Sequence, residues 1–288
     1  MSPLAVAEIG GTSVKIGFAA RGVPLARTRT FPTAEIRTAD PPVALAALLR
    51  AAAAEAGITP ARVVTTVPGF LAADGDTVLH TANVPELDGV RLASRLAAAL
   101  GLPVTLERDV VLQLLGESAA GAVRGAREVL AVYFGTGIGA AYLGAQGIFR
   151  GGGWALELGH LPLAAGNPPE RLEDRASGAA LAARAAARAR PVAELFRSPD
   201  PALAAALDAV LWQQALAVAA AATLFSPRII LLGGGIPQMA GFPRDTLTQR
   251  IARSLPAPYR PHPPELRWAR LGWKAAIHGA LLLTEGKA

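Results

Sequence analysis

One local pattern occurs twice in this chain of 288 residues, and it restricts the possible folds more than any other feature. An apolar run at residues 4–9 breaks at the glycine- and threonine-containing residues 10–12, and a second apolar run follows at once. The same arrangement returns where the run 130–134 breaks at residues 135–137. Each break is typical of a β-hairpin whose tip carries no bulky side chain. Because such tips let backbone N–H groups approach an anion closely, the repeat indicates a duplicated fold that binds a polyphosphate from two sides.

A third glycine-rich turn, at residues 233–235, follows the apolar run 229–232. Glycine after a strand is more often plain turn geometry, so each turn alone is weak evidence for a binding site. Three such turns in one chain favour ligand binding. The candidate phosphate-binding residues of the first two turns are Gly10, Gly11, Thr12, Gly135, Thr136 and Gly137.

Strand and helix patterns alternate along the chain in two similar halves, which predicts an α/β protein with two lobes around a cleft. The longest helical pattern begins with Asp200 and Pro201, an N-cap followed by proline at the first helical position. Helical patterns occupy residues 42–57, 90–100, 174–189, 200–225 and 274–283.

Composition excludes several classes of protein. With 52% hydrophobic and 17% charged residues, the chain is predicted to be soluble and globular rather than disordered. Its longest apolar run, residues 215–225, is too short to span a bilayer, and the strand pattern begins directly after Pro3, which leaves no room for a signal peptide. We therefore expect a cytoplasmic protein without a membrane partner. The sequence contains no cysteine, which excludes disulfides and thiolate metal sites.

The net charge of +6 raises the question of nucleic-acid binding. Most of the basic residues are arginines scattered among alanine and proline, and no basic run or aromatic-interleaved patch stands out. We therefore expect a small-molecule ligand and no nucleic-acid partner.

Five motifs in a fixed order are similar to those of the ROK family of sugar kinases and repressors. They are Gly10-Gly11-Thr12, Glu107-Arg108-Asp109-Val110, Gly135-Thr136-Gly137-Ile138-Gly139, Glu157-Leu158-Gly159-His160 and Gly233-Gly234-Gly235. The resemblance spans nearly the whole chain and implies the two-lobed, actin-like (ribonuclease-H-like duplicated) α/β fold with a central cleft.

The resemblance also implies ATP and Mg²⁺ as cofactors, a homodimer, and a position near the adenosine for Gly234 and Gly235. In the family the last helix returns to the first domain. We therefore predict one domain of residues 1–109 plus 274–288, and a second, larger domain of residues 110–273.

Asp109 is the candidate catalytic base. It ends a strand and opens a helix, a place from which a loop presents a side chain to a cleft. A helix cap is the other explanation for an aspartate there. Asp109 matches the family's catalytic aspartate, which accepts the proton of the sugar hydroxyl. Glu8 stands where the family usually has an aspartate that holds Mg²⁺ through water, so the charge is kept but moved by about one methylene.

The resemblance supplies the candidate sugar-binding residues as well. Glu157, His160 and Glu173 match positions that bind the C1 and C2 side of the sugar, and Asn83 matches a further sugar-binding position. A glutamate and a histidine can accept from and donate to several hydroxyls of one pyranose. The alternative for His160 is a purely structural histidine.

The loop that follows His160 departs from the family. ROK kinases commonly carry a cysteine cluster there which, with the histidine, holds a structural zinc ion. Residues 164–171 of this chain contain no cysteine. We therefore expect no zinc, with Pro168 and Pro169 stiffening the loop instead.

Arg108 is a further departure, since most of the family has asparagine before the catalytic aspartate. With Arg108, and with the segments 83–85, 112–114, 151–160 and 224–244, the chain resembles the D-allose kinase branch of the family most. Allose differs from glucose at C3, and a guanidinium would present different donors to the inverted hydroxyl. The alternative is that Arg108 only forms an ion pair with Glu107 or a neighbour.

We therefore predict an ATP-dependent kinase that phosphorylates a hexose at the 6-hydroxyl, and D-allose is the hexose that we predict as its substrate. A glucokinase, or another ROK hexose or N-acylhexosamine kinase, is the alternative within the same class. Outside that class stand a catalytically idle sugar sensor and a transcriptional repressor. A repressor would carry an additional N-terminal helix-turn-helix, whereas the first glycine turn here begins at Gly10.

Overall fold

The computed structural model describes residues 2–81, 84–153, 155–259 and 261–286. Numbered in chain order, the strands of these residues are β1 Leu4–Ile9, β2 Ser13–Ala20, β3 Val23–Pro32, β4 Arg62–Val67, β5 Phe70–Leu71, β6 Val78–His80, β7 Val104–Arg108, β8 Val129–Phe134, β9 Ile138–Gly144, β10 Gly147–Ile148, β11 Pro162–Ala164, β12 Glu170–Arg171, β13 Ile229–Gly233 and β14 Glu265–Trp268. The α-helices are α1 Pro41–Ala56, α2 Leu92–Leu100, α3 Asp109–Ala120, α4 Leu172–Ala176, α5 Gly178–Ala186, α6 Pro201–Phe225, α7 Arg244–Ser254 and α8 Lys274–Thr284.

Side-chain caps set where several helices begin. Asp40 accepts a hydrogen bond from the N–H of Val43 at the start of α1. Asp200 accepts from the N–H groups of Ala202 and Leu203 at the start of α6, which confirms the predicted N-cap. Each cap provides an acceptor for N–H groups that have no partner inside the helix.

The helix predicted at residues 174–189 is in fact two helices, α4 and α5. Ser177 separates them with an extended backbone, and its hydroxyl accepts from the N–H of Ala180 to cap α5. The pair Ser177-Gly178, a capping residue followed by glycine, is the sequence signal for this break, and the prediction of one helix overlooked it.

The chain forms two compact units. Unit one comprises Met1–Gly125, Gly147–Ala155 and Arg270–Ala288, and unit two comprises Ala126–Gln146 and Leu156–Ala269. The boundary that we placed after residue 109 therefore lies further along the chain, and a short segment beyond it returns to unit one.

Close packing of α3 against α8 explains why α3 stays in unit one. Gly116 of α3 lies directly against the backbone of Ala275, and Gly279 of α8 lies directly against the backbone of Leu112. A Cβ atom at either glycine would collide with the facing helix. The two helices thus approach one another at a distance that only glycine permits at these two positions.

Unit one contains a five-stranded sheet in the order β3-β2-β1-β4-β7. The β1 and β2 strands pair antiparallel as the predicted hairpin, whereas β1, β4 and β7 run parallel. All six residues of β1 are buried, as expected for a strand in a sheet covered on both faces.

Unit two repeats this pattern of pairing. Its strands lie in the order β9-β8-β13-β14, with β8 and β9 antiparallel and with β8, β13 and β14 parallel. Each unit thus has a hairpin followed by parallel strands, which confirms the predicted duplicated α/β architecture. The carboxyl ends of parallel strands share one edge of each sheet, and ligand sites in α/β proteins lie at that edge.

Helix α6, with 25 residues, is the one described helix that is long and apolar enough to cross a bilayer, and an 18-residue stretch of it has a mean hydropathy of 1.5. The apolar stretch is therefore longer than the run 215–225, which was the only part that the sequence pattern had marked as apolar. Leu203, Leu211 and Val218 on its inner face are buried in the core of unit two. A core helix of a globular domain meets the same length and composition criteria.

Candidate active site

The carboxyl edge of the unit-one sheet carries the first glycine turn and Asp109. The turn at Gly10, Gly11 and Thr12 follows β1, and Asp109 follows β7 directly. The carbonyl of Gly10 accepts from the Thr33 hydroxyl at 2.7 Å, and the carbonyl of Thr12 accepts from the Thr33 N–H at 3.1 Å. These two bonds fix the turn while leaving Thr12 exposed.

Asp109 is the first residue of α3 and is partly buried. One of its carboxylate oxygens accepts from the N–H of Val110 at 2.8 Å. Burial, and next the nearby carboxylate of Glu8, raise the pKa of Asp109 to about 6. Asp109 is therefore mostly ionised at neutral pH and close to the pKa range suited to a general base.

Glu8 lies on β1 and is 8% exposed. Its Oε1 accepts from Gln113 Nε2 at 3.1 Å, and its Oε2 is 3.7 Å from the ammonium nitrogen of Lys15. Burial raises the pKa of Glu8, and the positive charge of Lys15 opposes that rise.

The Oε2 atom of Glu8 is buried and, apart from the Lys15 ammonium at 3.7 Å, has no partner within hydrogen-bond distance. An oxygen of this kind fits a divalent cation or a water molecule bound to one. Mg²⁺ in phosphate-transfer enzymes needs only one or two carboxylates besides the phosphates of the substrate. Glu8 is thus suited to Mg²⁺ in spite of the longer side chain.

Arg108 is 6% exposed, and its guanidinium donates a hydrogen bond to the carbonyl of Ala155. Glu107 is bound by another arginine, Arg150, with nitrogen–oxygen distances of 3.0 Å and 2.6 Å. These contacts hold the 147–155 segment in unit one. The sequence had not identified Arg150, because 43 residues separate it from its partner. The predicted sugar-binding residue Asn83 lies outside the described residues.

The corresponding edge of the unit-two sheet carries the other two glycine turns. The N–H of Gly135 donates to the carbonyl of Gly137 at 3.0 Å, and the carbonyl of Gly135 accepts from the N–H of Gly178 at 2.8 Å. This second bond places the turn, with the exposed Thr136 at its tip, against the N-terminus of α5. The N-terminus of a helix stabilises a nearby anion.

Gly234 and Gly235 follow β13, directly beside the end of β8. Gly234 has a φ of +97°, and a Cβ atom there would collide with the backbone of Phe134. Gly235 is exposed and has open space around it. Glycine is therefore required by packing at position 234 and leaves room for a ligand at position 235.

The predicted sugar-binding residues of unit two are on two adjacent segments. Glu157 immediately precedes a single 3-10 turn, Leu158–His160, and Glu173 lies in the first turn of α4. His160 Nε2 is 3.6 Å from Glu173 Oε1. The structure thus brings His160 and Glu173 together.

The Glu173 carboxylate lies against two glycines. A Cβ atom at Gly137 would be 3.1 Å from Glu173 Oε2, and one at Gly159 would be 2.8 Å from the same oxygen. Glu173 therefore joins the second glycine turn to the 3-10 turn that carries His160. The glycines at both positions leave space for the carboxylate.

Arg171 is a site residue that the sequence motifs did not identify. Its Nη1 lies 2.9 Å from His160 Nδ1. Among the described residues, no group of three or more histidine, aspartate or glutamate side chains is arranged to hold a metal ion. The imidazole of His160 is instead oriented by Arg171 on one side and faces Glu173 on the other.

Comparison with known proteins places these residues in a family. The sequence model of the ROK family matches residues 5–287. The chain belongs to the ROK family. A glucokinase of Halalkalibacterium halodurans is 29% identical over 243 residues, which are 74% of this chain and 72% of that enzyme. A glucokinase of Thermotoga maritima is 30% identical over 196 residues, which are 59% of this chain and 62% of that enzyme.

Solved ROK structures have the same fold. A ROK hexokinase from Thermus thermophilus matches with a TM-score of 0.78 and 29% identity over 99% of both chains. A ROK glucokinase from Streptomyces griseus, solved with glucose and AMPPNP, matches with a TM-score of 0.81 and 25% identity over 98% of both chains. The predicted relationship to ROK sugar kinases and the actin-like α/β fold are therefore confirmed. None of these relatives is named as an allose kinase.

Proposed function

We propose that this ROK protein transfers the γ-phosphoryl group of ATP to the 6-hydroxyl of a hexose. The observation that carries the proposal is Asp109, an ionisable group with a pKa near 6 at the carboxyl edge of a parallel sheet, beside a glycine turn. In the proposed reaction the 6-hydroxyl oxygen attacks the γ-phosphorus, Asp109 accepts the hydroxyl proton, and the bond to ADP breaks.

The glycine turns are proposed to bind the phosphates and the nucleotide. Gly10, Gly11 and Thr12 in unit one, and the turn at residues 135–137 in unit two, offer backbone N–H groups and a threonine hydroxyl to phosphate oxygens. Gly234 and Gly235 would lie near the adenosine. Glu8 would hold the Mg²⁺ that accompanies ATP, which neutralises phosphate charge in reactions of this type. Support for ATP comes from the Streptomyces griseus relative, which was solved with AMPPNP.

His160 and Glu173 are proposed to bind hydroxyls of the sugar, together with Glu157 and Asn83. Imidazole and carboxylate groups supply both donors and acceptors, and paired polar groups discriminate strongly between sugars that differ in one hydroxyl. The relatives named as glucokinases, and the glucose bound in one of them, support a hexose as the substrate class.

Two hexoses are candidates. D-Allose is supported by Arg108, the residue directly before Asp109, whose guanidinium would present different hydrogen-bond donors to an inverted C3 hydroxyl than an asparagine would. D-Glucose is supported by the names of the relatives. We propose D-allose as the preferred substrate. We also propose that the enzyme is a homodimer, which is the usual assembly of the family.

A coupled assay of ADP formation with D-allose, D-glucose, D-mannose, D-fructose and N-acetylmannosamine tests the proposal. We expect turnover that depends on the hexose, a 6-phosphate product by NMR, and the highest kcat/KM with D-allose. A kcat/KM about tenfold or more higher for glucose would refute the allose assignment but would still be consistent with a sugar kinase. Sugar binding by calorimetry without ATP turnover would instead identify a sugar sensor and refute the kinase.

A further inference from the structure

The contact between Arg171 and His160 determines which imidazole nitrogen carries a proton. Arg171 Nη1 is 2.9 Å from His160 Nδ1, a hydrogen-bond distance. A guanidinium has five N–H donors, has no acceptor and stays protonated in proteins. His160 Nδ1 must therefore accept this bond, so the proton of the neutral imidazole is on Nε2.

Arg171 is itself held in position from two sides. Its backbone N–H donates to Asp174 Oδ2 at 2.8 Å at the start of α4. Arg171 also pairs with Pro162 in the short antiparallel sheet of β11 and β12. Because the backbone of Arg171 is already fixed, its side chain loses little further conformational entropy when it binds His160.

The other face of the imidazole is directed at Glu173. His160 Nε2 and Glu173 Oε1 are 3.6 Å apart, which is too long for a direct hydrogen bond. The two side chains are 25% and 28% exposed, so a small molecule can reach them. A hydroxyl group can accept from an N–H and donate to a carboxylate at the same time.

We propose that Arg171 is a positioning residue that fixes the Nε2-protonated tautomer of His160, so that His160 and Glu173 bind a single sugar hydroxyl as donor and acceptor. This inference rests on the proposed sugar kinase function. Without Arg171, the imidazole also adopts the tautomer with an unprotonated Nε2. In that tautomer two acceptors face the hydroxyl, which can donate to only one of them.

The tautomer is measured first, in the wild-type full-length protein, from the ¹⁵N chemical shifts of His160 near neutral pH. We expect an unprotonated Nδ1 and a protonated Nε2. A protonated Nδ1 in the wild type would overturn the inference. This measurement needs no sugar and no activity, so it stands whether or not the proposed function holds.

Variants then connect the tautomer to sugar binding. Arg171→Met removes the donors, and we expect a mixture of tautomers and a KM for the hexose raised about tenfold with kcat changed less than about threefold. Arg171→Lys keeps a donor without an acceptor and should restore much of the wild-type KM and tautomer. Arg175→Met, which removes a nearby exposed arginine in α4 that pairs with Glu170, is the matched control.

An unchanged KM in Arg171→Met with an altered tautomer would refute the link to sugar binding. Loss of kcat alone, with the tautomer intact, would refute the positioning role. A failure of the wild type to phosphorylate any hexose would refute the proposed function, and the NMR result would still decide the tautomer.

Discussion

At the scale of single residues, the central feature is a pair of carboxylates in unit one. Asp109 and Glu8 come from elements a hundred residues apart in sequence, and the charge of Glu8 adds to the effect of burial on Asp109. Glu8 in turn is held by Gln113, in the second turn of the helix that Asp109 opens. The environment therefore keeps Asp109 basic enough to accept a proton near neutral pH.

Asp109→Asn is expected to lower kcat by about a hundredfold or more, because the amide cannot accept the proton. The same variant should be more stable than the wild type at pH 8. A carboxyl whose pKa is raised by folding contributes stability below its unfolded pKa, and that stability is lost as the pH rises to about 6. Hexose-dependent turnover and thermal unfolding at pH 4.5 and pH 8 test both effects.

Asp245→Asn, which alters an exposed aspartate in the first turn of α7, is the matched control for Asp109→Asn. It should leave both turnover and stability nearly unchanged. More than about a tenth of the wild-type kcat in Asp109→Asn would show that another group is the base.

The pH dependence of kcat/KM provides a second test at this scale. We expect activity to fall as the pH drops through about 6, because Asp109 becomes protonated. Glu8→Gln removes a neighbouring negative charge and so lowers the pKa of Asp109, which should move the acidic limb to lower pH. The position of the limb is the relevant measure, since Glu8→Gln is also expected to weaken the proposed binding of Mg²⁺ and so to lower the rate at every pH. A limb that does not move would show that Glu8 does not influence Asp109.

At the scale of elements, glycines decide how closely turns and helices approach the site. Gly159, inside the 3-10 turn Leu158–His160, has the carbonyl of Ile138 and the carboxylate of Glu173 directly beside it. Any side chain at this position would displace either the turn or Glu173. The glycine is thus required by close approach rather than by a left-handed backbone conformation.

Gly159→Ala should destabilise the protein by about 1–3 kcal/mol, the usual cost of overpacking, and raise the KM for the hexose by displacing Glu173. A Cβ atom there would be 2.6 Å from the Ile138 carbonyl and 2.8 Å from Glu173 Oε2. Gly152→Ala is the matched control for stability, since nothing lies within 4 Å of its added Cβ. Urea denaturation of both variants, with kinetics of the first, tests the argument. Equal stabilities would contradict it.

At the scale of the whole molecule, the carboxylate of Glu117 binds two segments of unit one: the one before the chain leaves for unit two and the one where it returns. Its Oε2 accepts from the N–H of Ala122 at 2.7 Å, close to the point at which the chain leaves for unit two. Its Oε1 accepts from the N–H groups of Arg270 and Leu271 at 2.7 Å and 2.8 Å, where the chain returns. One buried carboxylate thus accepts from three backbone donors, which belong to two segments far apart in sequence.

Glu117→Gln should lower the free energy of unfolding by about 2–4 kcal/mol. Glutamine keeps one acceptor oxygen, but its NH2 group would face either the Ala122 N–H or the N–H groups of Arg270 and Leu271 and leave that side without an acceptor. Glu55→Gln is the control, since Glu55 forms an exposed ion pair with Arg29 at 3.0 Å. Exposed pairs of this kind contribute about 1 kcal/mol or less. Urea denaturation monitors both variants, and a loss of similar size in the two would contradict the role of Glu117.

The sequence alone determined the features that depend on near neighbours in the chain. The repeated hairpins with glycine at their tips, the alternation of strand and helix, and the cap at Asp200 follow from local conformational preference and hydrophobic period. Family motifs added the identity of the candidate site side chains. These include Asp109, His160 and Glu173.

Only the tertiary structure decided which distant residues act on those side chains. Burial and, next to it, the charge of Glu8 raise the pKa of Asp109, Arg150 pairs with Glu107, and Arg171 binds His160. The same holds for α3, whose packing against α8 keeps it in unit one. Electrostatic and packing energies depend on distance through space and on burial, and neither is defined until the whole chain has folded.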